Sequence, residues 1–289
     1  LLYPFQAALA HIFFFIVRLL PLNFASGIGG LIGRMIGPRL GVTNLARTNL
    51  KKIFPEKSNF EIELIINNMW DNLGRTLFEF PQIDRLRFYE DDTHVEIIGA
   101  ENIDLLNSDE RPGIFYTAHL ANWELAALAV VHRGMPLHVF YRMPNNDLLE
   151  SLYHKRRPQN LGILPKGALG ARNAISLLKK GEHLGMLLDQ KMNDGISVPF
   201  FGRDAMTAPA MAQFALKYKC PIVPVQVERL VGVKFRITFH PPVEYSPSSD
   251  HAKDVKCIMT DVNECIEKWI RQNPDQWLWV HNRWPDKSN

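Results

Sequence analysis

The chain has 289 residues, 46% hydrophobic and 22% charged, with a formal net charge of +3. This balance fits one large globular domain or a domain with a small appendage, and core size is not limiting. Cys220, Cys257 and Cys265 share no CxxC spacing, so neither a disulfide framework nor a zinc knuckle is indicated and a reducing, cytosol-facing compartment is expected.

The chain opens with "LLYPFQAALAHIFFFIVRLLPL", in which 17 uncharged positions precede Arg18. As a helix that run spans roughly 26 Å of a hydrocarbon layer ~30 Å thick. No charged stretch precedes it and no small-residue cleavage site follows it, which disfavours a signal peptide. After Pro21, "FASGIGGLIGRMIG" continues as a second apolar, glycine-rich stretch. Arg34, Arg39, Arg47, Lys51 and Lys52 then appear before the first acidic residue. Positive charge just after an apolar segment predicts a cytoplasmic flank beside anionic lipid, and residues 1–42 are expected to form a membrane-anchor or interfacial segment.

Residues 43–88 read as helices, with Ile62, Ile65, Ile66, Met69, Leu73 and Leu77 at helical spacing and Asn59 as a cap candidate. Beyond Pro81 the pattern changes. "VEIIG", "GIFYTAH", "PLHVFY", "LGILP", "HLGMLLD", "PIVPVQVE" and "FRITFH" are strand candidates. Between them, "WELAALAVVHRG", "NDLLESLYHKRR", "ALGARNAISLLKKG" and "APAMAQFALKYK" read as helices, two of them closed by Gly134 and Gly181. Alternation of this kind predicts crossover connections, hence an α/β domain over 43–289 with a mixed, largely parallel sheet covered by helices, preceded by an N-terminal apolar membrane-anchor helix. The period-two alternation of "FRITFH" predicts an edge strand. Residues 252–272 carry an apolar stripe that packs onto the sheet.

Of the ten histidines, His119 alone ends a strand beside a helix-opening loop with an acid, Glu124, close behind. In open α/β sheets ligands bind at that rim. Five helical residues are about 500° apart, so His119 must precede the helix, with Ala121 or Asn122 near its cap, if its imidazole is to fold back toward the Glu124 carboxylate. A carboxylate on one ring nitrogen makes the other a better general base for a hydroxyl. The motif by itself equally fits a first-turn acid favoured by the helix dipole beside an ordinary loop histidine. Nucleophile and metal signatures are missing: no GxSxG, no HExxH and no phosphate-binding GK[ST] loop. A base without a protein nucleophile points to direct attack of a substrate hydroxyl on an activated acyl donor. Asp189 closes another strand at its carboxyl end and is a second site candidate. Between Arg142 and Lys180 eight Lys/Arg face two acids, a patch suited to phosphate or carboxylate groups or to helix-end complementation. It lacks interleaved aromatics, so no nucleic-acid partner is expected.

The ordered set of HxxxxE at His119 to Glu124, "NNDLLESLYHKRR", "LLDQK" leading into "VPFFG", "APAMAQFALKYKCPIVPV" and "NPDQWLWVHNRW" resembles the bacterial late-stage lipid A acyltransferases, as does the upstream "ARTNLKKIFPE". The resemblance runs over nearly the whole chain. The related glycerolipid acyltransferases carry a later FPEG-type block, whereas the "FPE" here, Phe54 to Glu56, lies upstream of the histidine. The resemblance implies a single-pass inner-membrane enzyme with its active site on the cytoplasmic face. Such an enzyme moves a fatty acyl chain from acyl carrier protein to a hydroxyl on a 3-hydroxyacyl chain of a lipid A precursor, usually one bearing Kdo sugars. No cofactor or metal is implied beyond the acyl carrier protein thioester as co-substrate. By position, His119 would be the general base, Glu124 its orienting partner, and Arg157 (or the adjacent Arg156) and Asp189 substrate-binding positions. Two other readings remain at this stage: transfer to a lysophospholipid or glycolipid, and a non-catalytic lipid-binding protein.

Overall fold

The computed structural model describes residues 2–90, 94–108, 111–141, 146–149, 152 and 158–284. Four helices come first: α1 (Leu2–Leu19), α2 (Leu22–Ile36), α3 (Thr43–Ile53) and α4 (Asn59–Glu79). Ser58, rather than Asn59, caps α4, and it forms a reciprocal capping box with Glu61. Then β1 (Val95–Ile98), α5 (Glu101–Asn107), β2 (Ile114–Thr117), α6 (Glu124–His132), β3 (Leu137–Tyr141), β4 (Leu161–Pro165), α7 (Ala168–Leu178) and β5 (Leu184–Leu187) follow. The chain continues through β6 (Ile196–Phe200), β7 (Arg203–Thr207), α8 (Ala210–Tyr218), β8 (Ile222–Val231), β9 (Lys234–Phe239) and α9 (His251–Gln272). Gly134 and Gly181 take positive φ just beyond α6 and α7, where a left-handed residue ends a helix. Of the expected "NDLLESLYHKRR" helix, Asp147–Leu149 form a 3₁₀ turn and most of the remainder lies outside the described residues.

All seven runs expected as strands enter one sheet in the order β1-β9-β8-β2-β5-β3-β4. Only the β8–β9 pair is antiparallel, so the sheet is mixed and largely parallel, and the fold is α/β. β2 is buried on both faces, with Ile114 and Tyr116 meeting α8 and α9 while Phe115 meets the core under α6. The edge expectation for "FRITFH" is corrected: β9 keeps its alternating burial but lies between β8 and β1. Local alternation measures how each face is covered, and the edge is set by a strand, β1, about 140 residues earlier in the chain.

The hairpin β6–β7 was not marked by periodicity. Its turn residues Phe201 and Gly202 both have positive φ, and Glu267 of α9 accepts the Phe201 amide at 2.6 Å, so a distant helix holds the turn.

The expected membrane-anchor helix is also corrected. No helix among the described residues is long and apolar enough to cross a membrane. α1 has only 18 residues, includes Gln6, His11 and Arg18, and lies against the domain. Gln82 donates to the Val17 carbonyl at 2.8 Å and Arg18 pairs with Asp84 at 2.7 Å. α2 packs on α4 at backbone contact. A Cβ on Gly29 would fall on the Gly74 carbonyl oxygen, and one on Gly74 would fall on that of Gly29. The "GIGGLIG" run is therefore a helix-packing surface. Much of the early basic excess is answered inside the chain, since Arg34 pairs with Asp71 and Arg47 with Glu63.

Candidate active site

Parallel pairing of β2 with β5 sets Thr117 beside Leu187. His119 and Asp189 each lie two residues further on, so the register brings them together at the carboxyl rim of the sheet. His119 Nδ1 lies 2.8 Å from Asp189 Oδ1, and the His119 amide donates to Oδ2 at 3.1 Å. Trp277 Nε1 donates to the same Oδ2 at 2.8 Å. Asp189 is 2% exposed. Burial by itself pushes its carboxyl up, but the charge and ring hydrogen bond of His119, the Trp277 indole and the His119 amide bring it down to about 2. An ionised carboxylate only accepts, so Nδ1 carries the proton and Nε2 the basic lone pair. Nε2 faces the Gln190 carboxamide nitrogen at 3.3 Å, which matches the same tautomer. The imidazole, 15% exposed, lies against the Trp123 ring, with centroids 5.1 Å apart.

The carboxylate bonded to Nδ1 is thus Asp189 and not Glu124. Glu124 is the first residue of α6, half-buried, with Trp123 rather than Ala121 or Asn122 at the cap position. It lines a narrow apolar cleft of about 80 Å³ between α6 and the sheet, whose walls include Phe115, Thr117, Trp123, Val139 and Leu187. The cleft runs from the strand ends at Thr117 and Leu187 down to Leu137 and Gly185. Walls of this composition suit an apolar group. The Thr117 hydroxyl is buried on its wall without a hydrogen-bond partner. Arg157 and Arg156 lie outside the described residues. From the same basic patch, Lys166, Arg172, Lys179 and Lys180 are exposed on and around α7.

Burial pushes the Cys220 thiol up to about 12, which leaves it protonated and inert at neutral pH. Among the described residues no group of three His, Cys, Asp or Glu is placed to hold a metal ion. Sequence reasoning assigned no role to Trp277 or Gln190, although both lie in stretches it singled out, "NPDQWLWVHNRW" and "LLDQK". An indole donor to a buried carboxylate has no local signature. It follows from Trp277 lying opposite Leu120 in an isolated antiparallel bridge, 157 positions apart in the chain.

The model of the bacterial lipid A biosynthesis acyltransferase family matches residues 1–286. The chain belongs to that family. The Escherichia coli lipid A biosynthesis palmitoleoyltransferase is 27% identical over 275 residues, covering 91% of this chain and 86% of its own. The E. coli lauroyltransferase is 26% identical over 266 residues, covering 89% and 82%. A Haemophilus influenzae lipid A biosynthesis acyltransferase is 23% identical over 275 residues, covering 93% and 84%. Among solved structures, the 1-acyl-sn-glycerophosphate acyltransferase of Thermotoga maritima aligns with 84% of this chain and 97% of its own, at 16% identity and a TM-score of 0.40. Membership of the family makes the chain an acyltransferase.

Proposed function

We propose that this family member transfers a fatty acyl chain from acyl carrier protein to a hydroxyl of a 3-hydroxyacyl chain on a Kdo-bearing lipid A precursor. One observation carries the reading: Nδ1 of His119 is held by a buried, ionised Asp189, which leaves Nε2 basic, and the imidazole lies against Trp123, a wall of the apolar cleft. In the proposed reaction Nε2 takes the proton of the acceptor hydroxyl as its oxygen attacks the thioester carbon. The C–S bond then breaks, and the imidazolium returns the proton to the leaving thiolate. The amides at the opening of α6 are assigned to the oxyanion and the cleft to the apolar chain. Asp189 orients the base, and the role expected of Glu124 moves to the wall of the cleft. Arg157 and the exposed cations around α7 are assigned to anionic groups, the acceptor's phosphates or the acidic carrier protein.

The site is further proposed to work at the cytoplasmic face of the inner membrane. Phe5, Leu9, Ile12, Phe15, Ile16 and Leu19 of α1 are 51–69% exposed, and Phe24, Leu31, Met35 and Ile36 of α2 are 50–58% exposed. Apolar faces of this kind on helices too short to span suit a seat in the plane of a lipid surface. No cofactor is invoked.

The test is a mass-resolved assay of the purified protein with a panel of acyl carrier protein thioesters and lipid A precursors. A mass gain of one acyl chain is expected with wild type. His119→Ala is expected to lower the rate by roughly 10²–10⁴-fold, and Glu124→Ala to lower it strongly, with both folded. Full activity in the histidine variant would remove the base from the mechanism, and transfer only to lysophospholipids would replace the acceptor.

A further inference from the structure

Between His119 and Glu124 the chain makes a turn that its own residues do not favour. Ala121 has φ +50°, a left-handed conformation that a residue with a Cβ keeps only where its surroundings hold it. Those surroundings are a buried polar stripe on α4. The Ala121 carbonyl accepts from Asn72 Nδ2 at 3.1 Å and from Thr76 Oγ1 at 3.2 Å, and the Asn122 carboxamide donates to Glu79 Oε2 at 2.9 Å. Asn72, Thr76 and Glu79 are themselves gathered by Arg229 of β8. Its Nε donates to Asn72 Oδ1 at 2.8 Å, and Nη2 donates to Thr76 Oγ1 at 3.2 Å and to Glu79 Oε2 at 3.0 Å. Nη1 donates to Glu79 Oε1 at 2.5 Å and to the Gly232 carbonyl at 2.8 Å. All five guanidinium N–H groups are therefore used. The Arg229 backbone is clamped in turn by Gln276, whose carbonyl accepts the Ala121 amide at 3.0 Å.

A buried ion pair is a weak source of stability, because an apolar pair of equal volume does as well or better, but it fixes geometry in a way apolar contacts do not. Glu79 is fully buried, and its partners reach the loop that aims His119, not the helical core alone. We propose that Glu79 and Arg229 are positioning residues for the reaction, holding the His119–Glu124 turn in its left-handed form through Asn72, Thr76 and Asn122. The proposal rests on the acyl-transfer reading above, and it concerns the whole turn, not a contact to substrate.

Asn122→Ala gives the cleanest test, since it cuts the direct bond from the loop to Glu79 while leaving Glu79 with Arg229 and Ser26. Its kcat is expected to fall roughly tenfold to a hundredfold, with KM for donor and acceptor within about twofold, because the reacting base is misplaced while substrate binding is kept. Amide hydrogen exchange over residues 118–124 is expected to speed up. Arg229→Lys keeps the charge but loses the fork, and should give the same split with faster loop exchange. Ser26→Ala removes the bond from α2 to Glu79 and should lower Tm while leaving the exchange of 118–124 as in wild type. Unchanged loop exchange in Asn122→Ala overturns the proposal, as does wild-type kcat per folded molecule in that variant. If wild type itself transfers no acyl group, the acyl-transfer reading fails, and faster exchange in Asn122→Ala still supports the held turn.

Discussion

Asp189 receives three donors from parts of the chain that are 70 and 88 positions away, and this sets its behaviour toward acid. Its carboxyl sits at about 2 against an ordinary 3.8. A depressed folded value means that the contribution, on the order of 2 kcal/mol, is present above about pH 4 and is lost as the pH falls toward 2. The Tm gap between wild type and Asp189→Asn is therefore expected to be widest near neutrality and to shrink between pH 4 and pH 2. A gap constant over that range in thermal melts would contradict the charge assignment. Trp277→Phe should keep the aromatic packing but strip one donor from the carboxylate, costing about 1–3 kcal/mol in urea unfolding. His119 and Asp189 were both legible as strand-end residues. Their pairing was not, because it depends on β5 being the sheet neighbour of β2.

At the scale of elements, α2 and α4 meet through glycines where backbone touches backbone. Gly29→Leu would run into the Gly74 carbonyl oxygen and the stem of the Phe78 side chain, neither of which is a flexible side-chain end, and is expected to cost about 3 kcal/mol. Gly27 is two residues away, on the opposite side of the same helix, with nothing within 4 Å of an added Cβ, so Gly27→Ala should be neutral or stabilise by about 0.5–1 kcal/mol. Differential melting of the two variants checks the contact, and equal Tm values would refute it. The glycine spacing was visible in "GIGGLIG", and its failure to match a phosphate loop was readable too. What it packs against was not, since Gly74 looks like an ordinary interruption of a helix read from Ile62 to Leu77.

For the whole molecule, α1 and α2 carry an apolar face on the outside of a domain whose core is already complete without it. Phe15→Ser with Leu19→Ser is expected to weaken cosedimentation with anionic phospholipid vesicles by more than about tenfold. Each side chain contributes about 1.5–3 kcal/mol when fully withdrawn from water. Tm should stay within about a degree of wild type, because both side chains already face solvent at 65% and 69% exposure. Vesicle binding equal to wild type would assign membrane association to another surface. The sequence run that suggested a spanning anchor had the right hydropathy for lipid. The tertiary contacts of Val17, Arg18 and Tyr3 with the domain turned it from a span into a face.

By itself the sequence determined the alternation of strands and helices, the strand-end placement of His119 and Asp189, and the ordered motifs of an acyltransferase family. These follow from periodicity and local residue chemistry, which a linear chain carries in full. Tertiary structure alone decided strand order, which carboxylate reaches the imidazole, and how Arg229, 110 residues beyond His119, helps hold the turn at Ala121. Those outcomes depend on contacts whose partners are far apart in the chain, and no local pattern encodes which distant donor a buried acceptor will find.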